Sequence, residues 1–253
     1  MTARTSRSAW KAVSAAGLGA ALLLGGVGCD AVRSGTGPGS GAGSGSGPGG
    51  TVGKPGSALA AVDDLAVKGR APKTGYQRAS FGRAWADTDD NGCGTRDDIL
   101  KRDLKDVAFG DARKCKVSSG VLADDPYTGT RVEYRRGASK VDIDHLVALS
   151  DAWQKGAQQW SKGKRLAFAN DPLNLLAAEA SANRRKGDGD TATWLPPNKG
   201  YRCAYVASQV AVKKKYGLWV TPGERDAMKA VLKDCPRQGL PSGGNPTEAP
   251  AGR

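Results

Sequence analysis

The sequence predicts an α+β domain, and three patterns carry that expectation. Residues 140–149 (KVDIDHLVAL) alternate apolar and polar side chains at the period of a half-buried strand. Residues 172–178 (PLNLLAA) form a second apolar run of strand length, and stretches near 198–216 and 221–235 repeat apolar residues at helical spacing. With 39% hydrophobic and 25% charged residues in 253, the bulk of the chain is of the globular type.

The chain opens on a basic stretch (Arg4, Arg7, Lys11) followed by an apolar run to Gly28, the pattern of an export signal over residues 1–28. The run is too short and too rich in glycine for a permanent membrane span. It ends at Gly25-Gly26-Val27-Gly28-Cys29, which resembles a bacterial lipobox, although Gly26 stands where an aliphatic residue is usual. Two readings follow: a lipid on Cys29 anchors the protein at the cell surface, or the protein is simply secreted. Residues 29–64 read as a flexible Gly/Ser/Pro-rich linker, since 30–57 hold 11 of the 36 glycines and no aromatic residue. That leaves residues 65–235 as one domain of a size able to bury a core, and 236–253 as a Pro/Gly-rich disordered tail.

Net charge is +13, falling to +10 without the leader, which points to a polyanionic partner. The chain has one histidine, His145, so zinc sites built on several histidines are excluded. The cysteines contain no C-x-x-C pair, which argues against a zinc ribbon or a thioredoxin-like centre. Export implies an oxidising compartment, so Cys93, Cys115, Cys203 and Cys235 are expected to form two disulfides. Helix geometry selects among the three connectivities. The helix near 198–216 stops at Gly217, and Thr221-Pro222-Gly223-Glu224 is a capping box opening a second helix. A short connection makes the two antiparallel, which sets Cys203 beside Cys235 and leaves Cys93 with Cys115.

The chemistry-bearing residues cluster on the two expected strands and the segment after them. Asp142, Asp144 and His145 lie near the end of the first strand, Asn174 on the second. Ser181 would then cap a short polar helix, SANRRKGD, which carries Asn183, Arg184, Arg185 and Lys186. A lone histidine on a strand is more often structural than catalytic, and an Arg-Arg-Lys run is usually a solvated face. Together, however, Asp-His on one strand, Asn on a second and Asn on a following basic helix resemble the HNH endonuclease motif, the ββα-metal nuclease fold. The likeness is to the branch found in exported proteins of high-GC Gram-positive bacteria and in the C-terminal part of GmrSD-type restriction enzymes. It extends from GRAPKTGY and TRDDIL through DIDHLVALSDAW and SANRRKGD to WLPPNKGYRCAYV, with the motif itself at 140–190. Two departures stand out: Ala148 replaces a common proline, and the strands are separated by a long insertion.

The resemblance implies a ββα-metal (HNH) core with surrounding helices, closed by the disulfide-linked C-terminal helical hairpin. It further implies that His145 is the general base, that Asp144 and Asn183 are metal ligands, and that Asn174 holds the histidine-bearing loop. Carboxylate and amide oxygens suit Mg2+ or Mn2+. Arg184, Arg185 and Lys186 are candidates to bind phosphate, and Asp142 is either a supporting residue behind the metal or purely structural. A separate stretch, Asp87-Thr88-Asp89-Asp90-Asn91-Gly92 followed by Asp98, fits a calcium-loop template at Asp87, Asp89, Asn91 and Asp98, but with aspartate in place of the usual final glutamate. The other reading of that stretch is an Asx-rich turn fixed by Cys93.

The function expected is that of an exported, metal-dependent endonuclease acting on DNA with little sequence preference. The rivals are an RNA-directed nuclease and a non-catalytic surface lipoprotein that binds DNA or an anionic polymer on an HNH scaffold. No protein partner is expected.

Overall fold

The computed structural model describes residues 56–249, all within the second of the two units into which the chain divides, residues 47–253. The leader, Cys29 and the linker up to residue 55 lie outside the described residues. Among the described residues no helix is long and apolar enough to cross a membrane.

The fold is α+β. Helix α1 (Ala58–Ala61) begins at Ser57, whose Oγ accepts from the Ala60 amide, and runs into a 3-10 turn at Val62–Asp64. Ala58, Leu59 and Val62 are buried with Val210, Met228 and Leu232, so the domain begins by Ser57 and not at 65 as the glycine content implied. The apolar run ALAAV is enough to dock this segment despite the glycines before it.

Helix α2 (Thr95–Asp103) leads into an antiparallel sheet of β1 (Lys105–Phe109), β2 (Val117–Leu122) and β3 (Val132–Arg135), in that order. A second sheet pairs β4 (Val141–His145) with β5 (Leu175–Glu179), antiparallel, from Val141 opposite Glu179 to His145 opposite Leu175. Both strands are shorter than the patterns predict. Leu146, Val147 and Ala148 leave the sheet and Leu149 starts α3 (Leu149–Gln154), while Pro172–Asn174 is a 3-10 turn capped by Asp171. Between the strands lies α4 (Lys162–Ala169).

Helix α5 (Ala180–Lys186) follows β5 directly and packs on both β4 and β5. Its cap is Glu179, not Ser181: one carboxylate accepts from the Ser181 and Ala182 amides at 2.9 and 2.6 Å, satisfying two orphan donors of the first turn. Helices α6 (Arg202–Tyr216) and α7 (Pro222–Lys233) form the antiparallel hairpin, turned by Gly217 at φ +69° and capped by the Thr221 hydroxyl on the Glu224 amide. Only half of the capping box forms, because the Glu224 carboxylate turns inward to Lys155 and Lys213.

The expected disulfides are both present, Cys203–Cys235 across the hairpin and Cys93–Cys115 between the acidic loop and the approach to β2. The segment after Cys235 departs from the disorder its composition implies. Gly239 pairs with Ser57 through the backbone, Asn245 donates from its amide nitrogens to Asp171 and Thr88, and the Ala249 amide donates to the Gly163 carbonyl, so the tail is fixed as far as Ala249.

Candidate functional site

His145 ends β4 and is 6% exposed. Its Nε2 lies 2.9 Å from the Ala169 carbonyl, an acceptor only, so Nε2 carries the proton and the ring's lone pair sits on Nδ1. Burial drives the imidazole pKa down to about 3. Arg78 and Lys186 push the same way, and the Ala169 carbonyl opposes them. The ring is therefore neutral over the whole physiological range.

The imidazole faces a small pocket lined by Arg78, Phe81, Arg83, Trp85, Leu149 and Ala169. Trp85 stacks on it, ring centroids 6.3 Å apart and planes 17° from parallel, with the Arg96 guanidinium 5.7 Å from the indole. Trp85 adopts φ +58°, an uncommon conformation for a bulky residue, and the neighbouring Ala86 carbonyl is held by the Thr95 hydroxyl at 2.5 Å. Arg78, Arg83 and Trp85 were not legible as site residues, since nothing in the spacing of RASFGRAW marks it as part of a site.

Asn174 is fully buried and clamps the loop after His145. Its Oδ1 accepts from the Val147 amide at 2.9 Å, its Nδ2 donates to the Val147 carbonyl at 3.3 Å, and its own carbonyl accepts from Leu146 at 2.8 Å.

Asp144, expected as a metal ligand, is held here by the protein's own donors. Strand alternation turns Asp142 and Asp144 to one face, and two α5 residues one turn apart meet them there. Asn183 donates from Nδ2 to Asp142 Oδ2 at 3.3 Å, and Lys186 reaches Asp144 Oδ2 at 2.9 Å and Oδ1 at 3.1 Å. The Tyr127 hydroxyl takes Asp144 Oδ2 at 2.5 Å, and its pKa is pushed well up, first by burial and then by that carboxylate. Lys186 also donates to the His145 carbonyl at 2.8 Å. It is a buried ion-pair partner and not the surface phosphate ligand the Arg-Arg-Lys run implied. Arg184 and Arg185 are exposed, with Arg185 donating to the Ser181 hydroxyl.

The acidic loop closes largely on itself. Asp87 accepts from the Gly92 amide, Asp89 from Asn91, and Asn91 from the Cys93 amide. Burial raises the Asp98 pKa, and Asp89, Asp87 and Asp97 add to the rise while an Asn91 hydrogen bond opposes it. Among the described residues no three His, Cys, Asp or Glu side chains come together in a way that could hold a metal ion. On the α5 face the half-buried Asp142 and Asn183 meet through the Asn183 Nδ2–Asp142 Oδ2 hydrogen bond, and a cation would require the amide to turn its oxygen inward. A carboxylate and an amide oxygen fit a hard, largely hydrated divalent ion.

Residues 94–231, more than half of the chain, match the family described as GmrSD restriction endonucleases, C-terminal domain. The chain belongs to that family. The matched span of this GmrSD C-terminal domain holds His145, Asn174 and Asn183, whereas Arg78 and Trp85 lie upstream of it. An uncharacterized secreted protein of Arthroderma benhamiae is 36% identical over 181 residues, which is 71% of this chain and 85% of the relative. The family makes the domain nuclease-related, and the two disulfides and the secreted relative accord with export.

Proposed function

We propose that this GmrSD-type domain is an exported, metal-assisted endonuclease that hydrolyses DNA phosphodiesters with little sequence preference, built on β4, β5 and α5 as an HNH-type ββα core. The observation that carries the reading is the His145–Ala169 hydrogen bond, which fixes the tautomer and leaves Nδ1 as the acceptor of a ring that lines one pocket with exposed Arg78 and Arg83. Hydrolysis needs a base for the attacking water, and neutral imidazole serves. Asn174 keeps the loop after the base in place, while the two guanidiniums hold phosphate oxygens. Asp142 and Asn183, on the α5 face of β4 and not the face His145 presents, are the residues that would hold Mg2+ or Mn2+, which would supply charge compensation to a phosphodiester reaching both faces at the strand end. Calcium in the Asp87–Asp98 loop would be a separate, structural site, and the lipid on Cys29 remains part of the proposal only as one route to the cell surface.

The non-catalytic alternative draws on one observation, the pKa near 3, which makes His145 a weak base until substrate arrives. An incoming phosphate answers this, because a nearby anion raises an imidazole pKa. The test is plasmid nicking by purified protein with magnesium, with and without chelator. Wild type should nick only with metal and His145→Ala should not nick. A His145→Ala protein that nicks at the wild-type rate would leave the polymer-binding reading ahead. RNA offered in place of plasmid decides between the two nuclease readings.

A further inference from the structure

The groove between β3 and the start of β4 is lined by Arg131, Glu133, Arg135, Lys140 and Glu179, over Val132 and Ala138. We propose that it is a distal phosphate-binding subsite for one strand of a nucleic acid, an inference that rests on the endonuclease reading and extends it beyond the His145 pocket.

The charge balance favours an anion. Several cations elsewhere are held in ion pairs, Arg136 with Asp97, Lys186 with Asp144, and Lys155 and Lys213 with Asp151 and Glu224, whereas others, such as Arg78 and Arg83 at the His145 pocket, are exposed. In the groove Arg131, Arg135 and Lys140 are exposed, and none forms an ion pair among the described residues. Of the two lining carboxylates, Glu179 is committed to the α5 amides. Arg135 and Glu133 share the outward face of β3, the edge strand of its sheet, and Arg131 directly precedes that strand, so the two guanidiniums flank one exposed carboxylate, with Lys140 across the groove.

The fold also sets the distance. The groove opens where Val141 pairs with Glu179, and His145 lies four residues further along β4. At ~3.3 Å per residue that is ~13 Å, about four base steps of ~3.4 Å. Asp142 lies between the two ends on the α5 face of β4, opposite the face of His145, and Arg184 and Arg185 are exposed on that helix. A strand cut at His145 would therefore meet the groove about four nucleotides away.

The test compares Arg131→Ala/Arg135→Ala/Lys140→Ala with a charge-matched control, Lys162→Ala/Lys233→Ala/Arg237→Ala, on exposed cations of α4 and the α7 end. Binding of a 30-base-pair duplex to each set, placed in a His145→Ala background, is measured by anisotropy at several salt concentrations. The groove variant should lose about tenfold or more at low salt and its salt slope should fall by about 2 to 3, with the control much less affected. In the active background, wild-type KM should drop once the duplex extends past about four base pairs on one side of the cut. The groove variant should lose that drop while keeping its kcat on short duplexes. Equal losses in the groove and control variants, or an unchanged flank-length dependence, would overturn the proposal. Tighter binding of linear polyphosphate than of DNA would overturn the nucleic-acid assignment. A wild-type protein that binds through the groove yet cleaves nothing would sink the endonuclease reading and leave the subsite standing.

Discussion

Lys186 and Asp144 form a buried ion pair, 2.9 Å apart, one residue from the only histidine of the chain. The Lys186 ammonium is simultaneously bound to the His145 carbonyl, so α5 and the end of β4 are fastened at one point. Burying these charges is tolerable because every partner is supplied: Tyr127 completes the carboxylate, and the carbonyl takes another ammonium proton.

Removing one member should expose that dependence. Lys186→Met leaves Asp144 buried without its cation, and the expected loss of unfolding free energy is about 3–5 kcal/mol. Asp144→Asn should cost a similar amount, and the double variant less than the sum of the two. Urea melts of the three variants check this. Additive losses would show that the two groups act independently.

His145 should make stability pH-dependent in a defined direction. Its folded pKa of about 3 lies below the ordinary imidazole value of 6.5, so the unfolded chain binds the extra proton first. The neutral ring thus costs nothing above pH 6.5, and stability falls as pH drops from there toward 3, by up to about 1.4 kcal/mol per pH unit. Carboxylates such as Asp188 and Asp190, held below their ordinary range, are expected to add losses only at lower pH. Urea melts between pH 6.5 and 4.5 should therefore separate wild type from His145→Gln. The one imidazole NMR signal should also stay unshifted down to about pH 4.

The hairpin cross-link should matter for stability and not for chemistry. The Cys203–Cys235 bridge closes a loop with a sequence separation of 32, so Cys203→Ser/Cys235→Ser should lower stability by about 3 kcal/mol. At a temperature where both proteins are folded, the specific activity should match wild type. The check is a thermal melt paired with plasmid nicking, and loss of activity in a fully folded variant would place the hairpin in the site.

What the sequence made legible follows physical periodicity. The α6–α7 hairpin was readable because Gly217, Thr221 and Pro222 mark its turn and the apolar spacing marks its faces, and the disulfides followed from it. Asn174 was placed at the His145 loop by family resemblance. The role of Lys186 was not legible, because whether a helical cation meets water or a carboxylate depends on which helix face the sheet covers. The pairings of Asp142 and Asp144 were missed for the same reason: strand alternation puts both on one face, and only the docking of α5 decides that Asn183 meets the first and Lys186 the second. Trp85 and Arg78 reach His145 through a loop path with no period to read. The docked tail rests on single side-chain contacts, such as Asn245 to Thr88, which composition does not register.

Metal titration should separate the two aspartates of β4. If Asp142 and Asn183 hold the divalent ion, their Ala variants should nick plasmid slowly at low magnesium and recover part of the loss at high magnesium or manganese, because the lost ligand weakens binding of an ion that mass action can restore. Asp144→Ala acts differently. It removes the partner of a buried ammonium, so its defect should appear as lower stability and misplacement of the His145 backbone, and added metal should not restore it. His145→Ala should lose about 10²- to 10⁴-fold in rate at every metal concentration, with duplex binding retained. Initial nicking rates across a magnesium series, set beside melting curves for each variant, provide the measurement. Recovery of Asp144→Ala by metal, with no recovery of Asp142→Ala, would return the ligand role to Asp144 and require the Lys186 ammonium to move away from it.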